Sequence, residues 1–226
     1  KGGILPSGQL GYVPLADANR HEKSKCVASC VKFHPNSELL TVAGLDKHLR
    51  LFHIDGEENA KLASYYFERF PITSTTFIKD GAEMILTGDR HHSFYSYDVE
   101  SGQARKILSL SGRKDCAYAG VVAGPSKSNL KSSRLFAVRG PGGQIHVADQ
   151  KTKHLVRSMK VTGECTALAF HPTKDILYAT TNESMIYEYD VVSGRCLNKV
   201  HDTSAINIIS LAVSPGGSNS NGSANS

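Results

Sequence analysis

The chain has 226 residues, room for one large domain or two small ones at roughly 100–200 residues each. Lys and Arg total 26 against 21 Asp and Glu, a net charge of +5 that permits contact with nucleic acid without marking a basic tail protein. The 40% hydrophobic content excludes disorder of the whole chain, and no apolar run approaches the ~20 residues of a membrane-spanning helix. Lys1-Gly2-Gly3 does not open a signal peptide, so the expectation is a soluble, unsecreted protein with no membrane partner.

Taken in chain order, residues 1–25 form a leader that mixes apolar residues with Pro and Gly, and it is expected to lie against the domain that follows. Residues 31–55, VKFHPNSELLTVAGLDKHLRLFHID, then run through an aromatic-ended strand, a polar turn, an apolar strand, a second turn and an alternating strand closed by Asp55. Residues 76–98, TFIKDGAEMILTGDRHHSFYSYD, repeat that order, and so do residues 168–190, LAFHPTKDILYATTNESMIYEYD. Phe33 to Phe77 is 44 residues, Phe77 to Phe170 is 93, and Phe170 to Val213 is 43. The middle interval is therefore two periods, and SRLFAVRGPGGQIHVAD at 133–149 supplies the hidden copy, with 121–123 as its first strand. The closing residues Asp55, Asp98, Asp149 and Asp190 are 43, 51 and 41 apart, the long gap reflecting an insertion at 124–131 that reads as a mobile surface loop.

Each closing Asp is followed by a turn and one more short strand, at 61–67, 104–110, 154–160 and 196–200. Four strands with a period of about 40–45 residues are the signature of a WD40-type β-propeller blade. The expected fold is an all-β propeller over 26–215, with about four to five blades visible in an incomplete ring, and a flexible Asn/Gly/Ser tail at 216–226. NIISLAVSP, at 207–215, reads as the opening of a fifth unit. The blades are divergent: the position before the closing Asp holds Ile54, Tyr97, Ala148 and Tyr189, and the chain has no Trp. Asp46 and Asp89 occupy the turn where WD40 blades keep a hydrogen-bonding Asp, but most of its usual partners are missing, so packing is expected to hold the blades.

Little in the chain points to chemistry. Cys26, Cys30, Cys116, Cys165 and Cys196 are an odd number, expected as free and mostly buried thiols. Cys26 and Cys30 have no second pair behind them for a metal. His34-Pro35 and His171-Pro172 read as turns, and the neighbours His91 and His92 point to opposite sides of a strand end. Asp46 with His48 lacks a nucleophile, and Gly140–Gly143 lacks the Lys-Ser/Thr of a phosphate loop. No catalytic, cofactor-binding or metal site is expected, and no enzyme activity. Positive charge gathers in connections, including Arg105 with Lys106 and Lys151 with Lys153; Arg69, Arg90, Arg113, Lys114, Lys127, Lys131 and Arg134 are the candidates for contact with RNA or a protein partner.

Four stretches carry a resemblance: FHPNSELLTVAGLDKHLRLFHIDG at 33–56, YYFERFPI at 65–72, KTKHLVRSMKVTG at 151–163 and YEYDVVSGRCLNK at 187–199. Together they resemble the WD40 family of U3 small nucleolar RNA-associated protein 18, over about residues 3–215. The resemblance implies a seven-bladed propeller acting as a non-catalytic scaffold of the small-subunit processome in the nucleolus. It implies as partners the other WD40 proteins of the U3-associated B subcomplex, with U3 snoRNA or pre-rRNA within the assembly, and a role in 18S pre-rRNA processing. The family's N-terminal region, with its short helicase-recruiting motif, is not among these residues. The rival reading is a generic WD40 peptide-binding adaptor of the ubiquitin-ligase receptor kind, for which Arg69 and Arg90 alone would supply the basic face.

Overall fold

A computed structural model describes residues 14–20, 22–24, 26–110, 117–126 and 129–214. Four antiparallel sheets follow one another, each built from four strands in sequence order. Blade 1 holds β1 (Ala28–Phe33), β2 (Leu39–Gly44), β3 (His48–His53) and β4 (Lys61–Tyr66); blade 2 holds β5 (Ser74–Ile78), β6 (Glu83–Thr87), β7 (Phe94–Asp98) and β8 (Ala104–Ile107). Blade 3 holds β9 (Gly120–Ala123), β10 (Leu135–Arg139), β11 (Gln144–Asp149) and β12 (Leu155–Lys160); blade 4 holds β13 (Cys165–Phe170), β14 (Ile176–Thr181), β15 (Met185–Asp190) and β16 (Cys196–His201). The first strands meet in succession, β1 with β5, β5 with β9 and β9 with β13, so they form the inner wall.

Alternation along each strand decides what each blade face meets. In β6, Met84 and Leu86 turn to the seam with blade 1, where they join Leu49, Leu51, Phe67 and Phe70; Ile85 between them turns to blade 3 and joins Phe94, Phe136 and Val138. The third seam packs Ile145 and Val147 of blade 3 on Leu177, Ala179, Tyr187 and Tyr189 of blade 4. A central blade is apolar on both faces, which is why its strands read as nearly continuous apolar runs.

The recurring Asp that closes each third strand has a local cause. Asp55 Oδ1 accepts the backbone N–H groups of Glu57, Glu58 and Asn59, Asp98 Oδ1 that of Ser101, Asp149 Oδ1 those of Lys151 and Thr152, and Asp190 Oδ1 that of Val192. The carboxylate takes up amide groups that a tight turn would leave without partners. The same turns carry positive φ at Gly56, Gly102, Lys153 and Gly194.

Several expectations change. Among the described residues, 207–214 form no strand: an edge strand needs a neighbour, and a Gly/Asn/Ser tail follows it, so four blades are formed rather than a fifth begun. Of the four described cysteines only Cys165 is buried: Cys26, in the turn before β1, and Cys196, on the edge strand β16, are exposed, and Cys30 is half-buried; Cys116 lies outside the described residues. The 124–131 insertion is anchored at both ends: at Lys131 it enters a 3-10 turn over 131–134, and the carbonyl of buried Ser132, just beyond it, lies so close to Gly124 that a Cβ there would approach it to 1.8 Å, while 127–128 lie outside the described residues. Asp46 does keep a network, with new members: it pairs with the Arg50 guanidinium at 2.7 Å and accepts from Ser24 Oγ at 3.0 Å.

That network ties the leader down. Arg50, 4% exposed at its side chain, also reaches Glu22 at 2.9 Å, and Lys61 closes on the same carboxylate. Ala18 packs with Leu40, Val42 and Phe52 on the outward face of blade 1, and Asn59 donates to the Ala16 carbonyl.

Candidate interaction surfaces

The blades are joined at three levels, and the polar joints are the part of the site that the sequence hid. On the inner wall, Ser29 Oγ donates to the Ile72 carbonyl at 2.5 Å, Thr73 Oγ1 to the Ala119 carbonyl at 3.1 Å, and Arg139 to the Cys165 and Thr166 carbonyls. Each joint reaches from one blade to the chain that enters the next. Where the first strands end, Asn36 Nδ2 donates to the Asp80 carbonyl at 2.6 Å, and Asp175 Oδ1 accepts the Ser132 N–H at 2.7 Å. Between blades 2 and 3, buried Gln150 accepts the Lys79 N–H at 2.8 Å while donating to the Ser133 and Leu135 carbonyls. Only isolated polar letters at strand ends signal these joints in the sequence, and nothing there says which blade they touch.

The two histidines of the His-Pro turns act as turn caps. His34 Nδ1 accepts the Asn36 N–H and His171 Nδ1 the Thr173 N–H, both at 3.1 Å. The His34 ring also stands edge-on to Phe77 at 5.1 Å, across the first seam. His91 lies over Phe70 at 4.8 Å. Among the described residues no three His, Cys, Asp or Glu side chains gather as metal ligands would.

Two mouths open on the inner wall. One, at the end where the second strands finish, is lined by Thr73, Asp89, Arg90, Arg139, Pro141 and Glu164 and encloses about 620 Å³. The other, where the first strands finish, encloses about 700 Å³ and is lined by Lys32, Phe33, Lys79, Arg134, Gln150 and Lys151 among others. Lys79, Lys151 and Thr152 also line a groove of about 650 Å³ that continues outward along the seam of blades 2 and 3, past Arg105 and Lys153.

The candidate contact residues therefore do not form one patch. Arg69 and Arg90 stand exposed in turns at one end, each beside its own acidic neighbour, Glu68 at 3.7 Å and Asp89 at 4.0 Å. Lys131 and Arg134 lie at the opposite end, and Arg134 lines the larger mouth. Arg113, Lys114 and Lys127 fall outside the described residues. Lys32, Lys79, Arg105 and Lys151 share the larger mouth and its groove with Arg134.

Electrostatics mark a half-buried carboxylate at the seam of blades 2 and 3. Burial alone would raise Glu83, but hydrogen bonds from Lys79, Ser96 and Lys153 more than offset it and hold the carboxyl below its ordinary value. Lys79 Nζ lies 2.5 Å and Lys153 Nζ 2.9 Å from its two oxygens, so a blade 2 residue holds cations from both sides of the seam. Tyr97 is pushed up by burial and by its neighbour Tyr65, whose ring lies 5.0 Å away, so Tyr97 stays a neutral phenol.

Repeated four-stranded blades, an inner wall of first strands and Asp-capped turns define a WD40-type β-propeller chain. In agreement, the model of the WD domain, G-beta repeat, matches residues 14–53. The chain is 32% identical over 94% of its length to the human U3 small nucleolar RNA-associated protein 18 homolog, covering 37% of that protein. It is 35% identical to the Arabidopsis thaliana homolog over 88% of the chain and 35% of that protein, and 24% identical to the Saccharomyces cerevisiae protein over 94% of the chain and 40% of that protein. The chain belongs to this WD40-repeat family, the U3 small nucleolar RNA-associated protein 18 family, and spans 35–40% of the length of these relatives.

Proposed function

We propose that the chain is part of a non-catalytic WD40 scaffold of the small-subunit processome, acting in the nucleolus in 18S pre-rRNA processing. The observation that carries this reading is the similarity along 94% of the chain to a protein named for its association with U3 small nucleolar RNA. The geometry suits the role: rigid blades locked by polar joints present two mouths and several seams, and a stable contact on any of them would bury about 1,200–2,000 Å². Its partners on this reading are the other WD40 proteins of the U3-associated B subcomplex, with U3 snoRNA or pre-rRNA in the same assembly. The adaptor reading has less to stand on, because Arg69 and Arg90 each sit beside a carboxylate rather than on a shared basic face.

Depletion of the full-length protein, followed by northern blotting of rRNA precursors, tests the role. The expected result is accumulation of unprocessed 18S precursors, restored by the wild-type gene. Normal 18S maturation after depletion would contradict it.

A further inference from the structure

We propose that the mouth and groove along the seam of blades 2 and 3 form a track for the phosphate backbone of single-stranded RNA, lined by Lys32, Arg134, Lys79, Lys151 and Arg105. This rests on the scaffold reading and adds a site to it. The mouth and the groove are one continuous depression, because Lys79, Lys151 and Thr152 line both. Along it the exposed cations Lys32, Arg134, Lys151 and Arg105 have no carboxylate partner among the described residues, so their charge is open to a ligand.

The carboxylates in the same depression are mostly engaged. Glu83 sits beneath Lys79 and Lys153 and holds both side chains in place. Asp149 Oδ1 and Asp98 Oδ1 accept backbone amides of their own turns. Asp80 remains as an exposed carboxylate on the rim of the mouth. The Thr76 hydroxyl lines the mouth and can donate to a phosphate oxygen, whereas those of Ser133 and Thr152 already donate to the Leu130 carbonyl and Asp149 Oδ1.

Single-stranded RNA fits better than an acidic peptide for two reasons. The cations are strung along the depression rather than gathered around one deep pocket, as a backbone of evenly spaced phosphates requires. At the inner end stands Phe33, 66% exposed, an aromatic face on which a base can stack. Nothing in the lining reads base edges, so the track is expected to be tolerant of sequence.

The test uses the full-length protein and a fluorescein-labelled oligouridine, with binding followed by anisotropy over a series of salt concentrations. Arg105→Glu with Lys151→Glu reverses two exposed charges that make no joint between blades. The expected result is a loss of roughly tenfold or more in affinity and a shallower salt dependence, with unchanged thermal unfolding. Arg69→Glu with Arg90→Glu, at the other end, should change affinity less than about twofold, and Phe33→Ala should weaken binding without altering the salt slope. The proposal is overturned if the groove variant binds like wild type, if the Arg69/Arg90 variant loses as much, or if a polyglutamate peptide displaces the oligouridine at equal concentration. Co-purification of U3 RNA with the groove variant from cells separates the two claims: retained U3 RNA alongside wild-type oligouridine binding sinks the track and leaves the scaffold reading standing.

Discussion

Gln150, in blade 3, accepts the backbone N–H of Lys79, in blade 2, at 2.8 Å, and the same amide group donates back to the Ser133 and Leu135 carbonyls of its own blade. One buried side chain thus satisfies three backbone groups on two sides of a seam, at the lip of the basic mouth. Removing it leaves the Lys79 N–H and the Ser133 carbonyl without this partner, at about 1–3 kcal/mol for each that is shut off from water, while the Leu135 carbonyl keeps the Gly124 N–H at 2.9 Å. Gln150→Ala should lower the midpoint of urea unfolding accordingly. Gln150→Glu keeps the acceptor for Lys79 but loses both donations, and should destabilise too. An unchanged midpoint for both variants would show that the seam does not depend on this joint.

Gly81 is expected to be intolerant of any side chain. Its φ is +103°, and a Cβ there would lie 2.1 Å from the His34 ring, which is held edge-on by Phe77. Gly81→Ala should cost more than the ~1 kcal/mol of a strained backbone alone. Gly142→Ala is the control: its φ is +63° with nothing within 4 Å, so only the backbone term applies. Equal losses in the two variants, read by thermal unfolding, would rule out the ring contact as the cause.

The Arg50 cluster should be asymmetric. Arg50→Ala leaves Asp46 buried without its cation and is expected to cost about 3–5 kcal/mol. Glu22→Gln removes a more exposed partner and should cost about 1 kcal/mol or less while loosening the leader, visible as faster proteolysis there. A small effect of Arg50→Ala would mean that Asp46 is hydrated in its absence.

Acid sensitivity should trace in part to Glu83. Its folded carboxyl is held below the ordinary 4.5, so its contribution is fully present above that value and is lost as the pH falls through the lower folded value. The expected result is unfolding stability that declines below about pH 4.5, with a flatter profile for Glu83→Gln. Parallel profiles for the two proteins would contradict the assignment.

The thiols should separate by environment. Burial pushes Cys165 up to about 11, whereas Cys26 and Cys196 are exposed. Mass spectrometry after brief alkylation at mildly alkaline pH should find Cys26 and Cys196 modified and Cys165 protected until the protein is unfolded. Early labelling of Cys165 would mean that the seam of blades 3 and 4 opens readily.

The fold was legible because two local signals repeat with the period. Alternation in stretches such as FYSYD at Phe94–Asp98 marked third strands, and the closing Asp marked the turn that its carboxylate caps. Strand ends were less legible: the fourth strand of blade 2 stops at Ile107 rather than 110, because Leu108 is exposed and no pairing extends to it. The site was mostly hidden. Among the described candidates Arg134 alone lines the basic mouth, while Lys32 and Lys79 are single letters in separate repeats, brought together only by the succession of first strands.

The central claim is that this chain belongs to a scaffold of the U3 assembly. It is tested most directly by isolating the tagged full-length protein from cells under native conditions and identifying the bound RNA and proteins. The account predicts recovery of U3 RNA together with other WD40 proteins of the processome. Recovery of a ubiquitin-ligase core, without U3 RNA, would contradict it and return the propeller to the adaptor reading.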